Sequence, residues 1–125
     1  LLMTLVNRDL LRTRFLRQME SWPVLLSPVA TGPAFRHGEG GWRASDPVNY
    51  LDAMRFTQWF NLLGLPAVVV PVAKSNEALP IGVQVIGRPY EEEVVLDVAA
   101  VIENEFGYSS PPLALPTKRA AGQEW

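Results

Sequence analysis

The sequence predicts an α/β chain of three helices and three short strands whose sheet is left partly unmade. Three observations carry that prediction. Helical stretches with clear start and stop residues alternate with short apolar runs, the pattern of helices layered on a sheet. The run Pro66-Ala-Val-Val-Val-Pro-Val72 is β-branched or apolar at nearly every position, which is how a strand reads when both of its faces are covered. Such a strand wants neighbours on both edges, and three short strands cannot supply them.

Residues 2–21 form the first predicted helix. Leu11, Phe15 and Met19 recur at four-residue spacing, Arg8, Arg12 and Arg14 project elsewhere, and no Gly or Pro intervenes before Pro23 ends the segment. Trp22–Ala30 is an apolar run bracketed by Pro23 and Pro28, which suits a buried strand. From Thr31 to Ser45 the composition turns to Gly, Pro and polar residues with Phe35 and Trp42 embedded, a surface loop of the length that borders binding sites.

Asp46 as N-cap, Pro47 at the first helical position and Gly64 as a left-handed stop define a helix over residues 47–63. Its Leu51, Phe56, Trp59, Phe60 and Leu63 cover more than a narrow stripe, so burial over much of its circumference is expected. After the strand at 66–72, a polar turn with Ser75 and Asn76 leads to Ile81–Gly87, a pairing compatible with a hairpin. Residues 91–106 form the last helix, with Val95, Val98 or Ala99, and Ile102 on one face and Gly107 as its stop. The chain thus divides into a folded part, residues 1–108, and a Pro-rich flexible tail, residues 109–125.

With 125 residues and 13.9 kDa, one modest core is available, and the 48% hydrophobic and 19% charged composition is that of a folded, soluble domain. Residues 1–45 hold six Arg against Asp9, Glu20 and Glu39, whereas residues 46–125 hold five basic against ten acidic side chains. Neither half is a basic stripe with interleaved aromatics, which excludes nucleic acid as a partner. Without cysteine, and with His37 alone, neither a disulfide nor the usual metal-ligand set is available, so no metal and no cofactor is expected. The opening Leu1–Val6 is too short for a span and lacks the basic stretch of a signal peptide. The first residue is not Met, so the natural polypeptide is expected to extend upstream. A basic amphipathic helix could also lie on a membrane surface, but packing on its own core is the expected role.

Several side chains invite a catalytic reading that their context does not support. His37 with Glu39 lies in a Gly-rich loop that fixes no geometry, and Gly38-Glu-Gly-Gly41 lacks the strand and the Lys-Ser/Thr ending of a phosphate cradle. Ser109-Ser110 precedes Pro111-Pro112 in the tail, and Glu91–Glu93 sit where a helix N-terminus favours acids. Gln84, on an otherwise apolar strand, needs its amide satisfied, and Gly82 two positions earlier permits close backbone approach on the same face. Arg88 is expected to cap carbonyls or pair with a nearby acid.

Phe56-Thr-Gln-Trp-Phe-Asn-Leu-Leu-Gly-Leu-Pro-Ala-Val-Val-Val-Pro71, then Leu79-Pro-Ile-Gly-Val-Gln-Val-Ile-Gly-Arg-Pro89, then Glu92–Glu103, resembles the C-terminal part of amidase signature enzymes. That family has a helix ending in Asn-x-x-Gly-x-Pro, a strand ending in Pro, a Leu-Pro-x-Gly-x-Gln strand closing on Gly-Arg-Pro, and a helix ending near a Glu. Asn61, Gly64, Pro66, Pro71, Leu79, Pro80, Gly82, Gln84, Gly87, Arg88, Pro89 and Glu103 fall on those positions. Arg12–Pro28 also resembles the family's Arg-bearing helix and the apolar strand after it.

The resemblance implies the C-terminal part of the amidase signature fold, a mixed central sheet flanked by helices, incomplete in this chain. It implies amide hydrolysis by a Ser-Ser-Lys arrangement with a backbone oxyanion hole. Those catalytic parts belong to the family's N-terminal half, so no catalytic residue is assigned here. The expected contribution is one wall of the acyl channel, with Val29, Thr31, Phe35, Trp42 and Trp59 as substrate-binding candidates by position and apolar bulk. The expected partners are a small-molecule amide and the missing N-terminal part of the domain, and the expected location is the cytoplasm. A rival expectation is a non-catalytic product or interaction module that pairs an open sheet edge with another chain.

Overall fold

The computed structural model describes residues 2–32, 34 and 51–107. In chain order its elements are helix α1 (Leu2–Gln18), strand β1 (Leu25–Pro28), helix α2 (Gln58–Leu63), strands β2 (Ala67–Lys74) and β3 (Pro80–Ile86), and helix α3 (Glu92–Phe106). Asp46, Pro47, Phe35, His37, Gly38–Gly41, Trp42 and the tail from Ser109 lie outside the described residues.

The three strands form one sheet in the order β1-β3-β2, antiparallel throughout. β2 and β3 are a hairpin. Its turn is closed by Ser75 N–H donating to the Leu79 carbonyl at 2.8 Å, while the Ser75 Oγ accepts from the N–H groups of Glu77 and Leu79 at 3.3 and 3.2 Å. Such a hydroxyl standing in for a backbone partner is what serine contributes to tight turns. The register slips between Pro71 and Ala73, so Val72 is the extra residue of a bulge.

Because side chains alternate along a strand, the register sorts the sheet into two faces. Val83 and Val85 of β3 lie beside Val70 and Val68 of β2 on one face, and α3 packs there through Val95 and Ala99, with Val98 and Ile102 alongside. The stripe expected on the last helix is therefore the stripe it buries. On the opposite face, Ile86, fully buried, meets Leu63 and Leu65, with Phe15, Leu16 and Phe60 packed around them. The Phe15 and Phe60 rings meet tilted, with centroids 6.4 Å apart.

Three expectations need correction. The run Trp22–Ala30 is not a buried strand: only Leu25–Pro28 is strand, and Leu25, Leu26 and Pro28 are exposed because β1 pairs on one side only. Within 47–63 the described part is not one helix. Residues 51–53 are helical, residues 54–57 are turn, and α2 resumes at Gln58. The Thr57 hydroxyl donates to the Met54 carbonyl at 3.1 Å, which also accepts the backbone N–H groups of Thr57 and Gln58 at 3.0 and 3.2 Å, and the Gln58 side-chain amide donates to the Leu51 carbonyl at 3.0 Å, so side chains bridge the turn. Finally, among the described residues β2 is covered on one face only, by α3, and Val69 on the other is 52% exposed. The expected helix stops hold. Gly64 adopts φ +63° and caps α2, and Gly107 donates to the Glu103 carbonyl at 2.8 Å at the end of α3.

Candidate functional site

The face of β3 opposite α3 changes character every second residue. Ile86 lies under α1 and α2, Gln84 under the turn before α2, and Gly82, among the described residues, beside Val29. At Gly82 this face borders a hollow of about 500 Å³. Its floor is Val69, Pro71 and Gly82, and its wall is the segment leaving β1, from Val29 to Gly32 with Ala34. Floor and wall approach closely: a Cβ built on Gly82 would sit 2.8 Å from Val69 Cγ1 and 3.5 Å from Val29 Cγ2.

Among the described residues the lining is apolar apart from two hydroxyls, those of Thr31 and Ser75, and carries no ionisable side chain. Ser75 is committed to its turn, where its Oγ accepts two backbone N–H groups. A serine held in this way, with no base beside it, is not an activated nucleophile. The chemistry that this lining can perform is the burial of apolar substrate surface and its orientation by hydroxyls and backbone groups. Among the described residues no cluster of His, Cys, Asp and Glu is suited to a metal ion. No helix among them is long and apolar enough to cross a membrane.

Of the substrate-binding candidates, Val29 and Thr31 both line the hollow. Trp59 does not: it sits on α2, 56% exposed, away from the lining. Phe35 and Trp42 lie outside the described residues. The lining also includes Val69, Pro71, Ile81 and Gly82, which sequence reasoning did not single out as site residues. The available signal was the two-residue alternation that places Gly82 on the face of Gln84. Joining Val69 and Pro71 to them required the hairpin register.

Gln84 is the one buried polar side chain among the described residues, 3% exposed. Its Nε2 donates to the Pro28 carbonyl at 2.7 Å and to the Phe56 carbonyl at 3.0 Å, the structural use expected of it. Arg88, also as expected, pairs with an acid. Its Nε and one terminal nitrogen each lie 2.7 Å from the two carboxylate oxygens of Glu91, a fork that closes the turn before α3.

The sequence model of the family described as Amidase matches residues 1–96. A glutamyl-tRNA(Gln) amidotransferase subunit from Geobacter metallireducens is 43% identical over 96 residues, which are 77% of this chain and 19% of that protein. The same subunit from Sulfurimonas denitrificans is 36% identical over 104 residues, 83% of this chain and 22% of that protein. Among solved structures, its counterpart from Thermotoga maritima superposes with a TM-score of 0.68 at 34% identity, over 82% of this chain and 22% of that one. A 6-aminohexanoate cyclic dimer hydrolase complexed with substrate gives a TM-score of 0.65 at 25% identity, over 81% and 23%. The chain therefore spans about one fifth of the length of the relatives it matches.

Proposed function

The chain belongs to the Amidase family, and on that premise we propose that it is the C-terminal segment of an amidase signature hydrolase that cleaves carboxylic amide bonds. Its contribution in this reading is scaffold and one wall of the substrate channel. The observation that supports this most is the coincidence of the family match over residues 1–96 with a hollow whose described lining is largely apolar.

In the complete enzyme an unprotonated lysine and a bridging serine would deprotonate the nucleophilic serine, and backbone N–H groups would hold the oxyanion. This chain supplies none of those groups. Its lysines are Lys74, exposed at the end of β2, and Lys118, and neither of its adjacent serines lies in a Gly-rich run. Val29 and Thr31, which line the hollow, would bear on the substrate, with Phe35 and Trp42 as further candidates. The substrate is a small-molecule amide, the partner is the N-terminal part of the domain, and the site of action is the cytoplasm. The relatives named above act under different names, and shared fold does not choose among amides.

The intact mass of the protein from its native source tests this reading. The expected result is a mass several times 13.9 kDa, with upstream peptides that carry a lysine and a Gly-Ser-rich run. A mass near 13.9 kDa would overturn it in favour of a non-catalytic product that pairs an open edge of β1 or β2 with another chain.

A further inference from the structure

β1 and α2 are separated by a long excursion, and its two stems leave from Pro28 and return at Phe56. Val29, the first residue after the outgoing stem, already lines the hollow. One side chain touches both stems. Gln84, in the central strand of the sheet, donates from Nε2 to the carbonyl of Pro28 at 2.7 Å and to that of Phe56 at 3.0 Å. A primary amide nitrogen carries two N–H groups, and here two carbonyls from opposite ends of the excursion are bonded to it. The register pairs Gln84 with Ser27 of β1 and Val69 of β2, so the amide stands on the face that opens into the hollow two residues further on, at Gly82.

We propose that Gln84 is a positioning residue that staples both stems of the 29–55 excursion to β3 and thereby sets where the wall of the hollow stands over its floor. The Gln84 side chain is itself buried, the residue being 3% exposed, so little water reaches its amide to compete with the two carbonyls. Only a side chain with two donors on one terminal atom can hold both stems at once. Aspartate and glutamate bring acceptors to two acceptors, and an aliphatic side chain brings nothing. The functional weight of the staple rests on the reading of the hollow as part of the amide site, but the staple itself does not.

Hydrogen exchange on the full 125-residue chain separates the two, since it reports the staple without any hydrolysis. In Gln84→Met, which keeps the bulk, backbone exchange at Val29–Gly32 and Met54–Thr57 is expected to accelerate by roughly tenfold or more, the scale of one lost buried hydrogen bond. Exchange in α3 is expected to stay within about twofold of the unmodified chain. In Gln84→Glu both stems are expected to loosen at neutral pH. One regains protection as the pH falls through the raised pKa of a buried carboxyl, because the protonated acid recovers a single donor. Should the variants not fold, the unmodified chain still decides. The two side-chain amide protons of Gln84 are expected to exchange much more slowly than those of exposed Gln18. Unchanged stems in Gln84→Met, uniform loosening that includes α3, or Gln84 side-chain protons as fast as those of Gln18 would each overturn the proposal.

Discussion

Three glycines isolate what a single methyl group does in this chain. At Gly87, just past β3, the chain runs so close to α3 that an added Cβ would overlap the Val95 side chain, itself 2% exposed. Gly87→Ala is expected to cost about 1–3 kcal/mol, the range of overpacked cores, read as a lowered denaturant midpoint. Gly64 is constrained differently: nothing lies within 4 Å of its added Cβ, but φ is +63°. Gly64→Ala should therefore lose only about 1–2 kcal/mol, through backbone strain. Gly32 has neither constraint, with free space and no positive φ, so Gly32→Ala is expected to stay within about 0.5 kcal/mol. Equal effects at all three positions would contradict this division. Gly64 and Gly87 stood out in the sequence because they sit in Asn-x-x-Gly-x-Pro and Gly-Arg-Pro, but the reason at Gly87 is a tertiary contact that no local pattern carries.

Among the strands, position in the sheet decides what each side chain is worth. β3 is central and has elements over both faces, so Val85 and Ile86 are fully buried, whereas β1 is an edge strand. Ile86→Ala is expected to destabilise by about 2–5 kcal/mol through the cavity it leaves, and Leu26→Ala by about 1 kcal/mol, compared by chemical denaturation. Similar losses at the two sites would mean that β1 is covered in solution. These differences also mark what was legible beforehand. The hairpin, the α3 stripe of Val95, Ala99 and Ile102, and both glycine stops followed from period and punctuation. The exposure of Leu25 and Leu26 did not, because a short apolar run reads alike in a central strand and at an edge. The break at residues 54–57 was hidden because side-chain bonds from Thr57 and Gln58 bridge a turn there, a feature that propensity does not register. Of the hollow, Val29 and Thr31 were accessible from their place after β1, while Val69 and Pro71 depended on a register fixed by the turn at Ser75.

At the scale of the whole molecule, the exposed apolar surface and the expected inactivity both follow from the proposed reading of the chain as one segment of a larger domain. α1 carries Leu2, Met3 and Leu10 into solvent, α2 carries Trp59 and Leu62, and α3 exposes Leu96, Val101 and Phe106 on the side turned from the sheet. These belong to three different elements, as the proposed reading of one segment of a larger core expects. The chain by itself is expected to bind a hydrophobic dye and to melt broadly at low temperature, and a sharp cooperative melt without dye binding would show that it is self-sufficient. The same incompleteness governs activity. Amide hydrolysis needs a nucleophile, a base to activate it and donors for the oxyanion, held together within hydrogen-bond reach. Here the serine of the hollow is spent on a turn, and Lys74 stands exposed at the end of β2 rather than in the hollow's lining. The isolated chain is therefore expected to leave aliphatic and aryl amides intact, followed by release of ammonia or arylamine. Turnover above the uncatalysed rate that disappears on Ser→Ala substitution within residues 1–125 would place the nucleophile in this segment and reverse the division of labour between it and the rest of the domain.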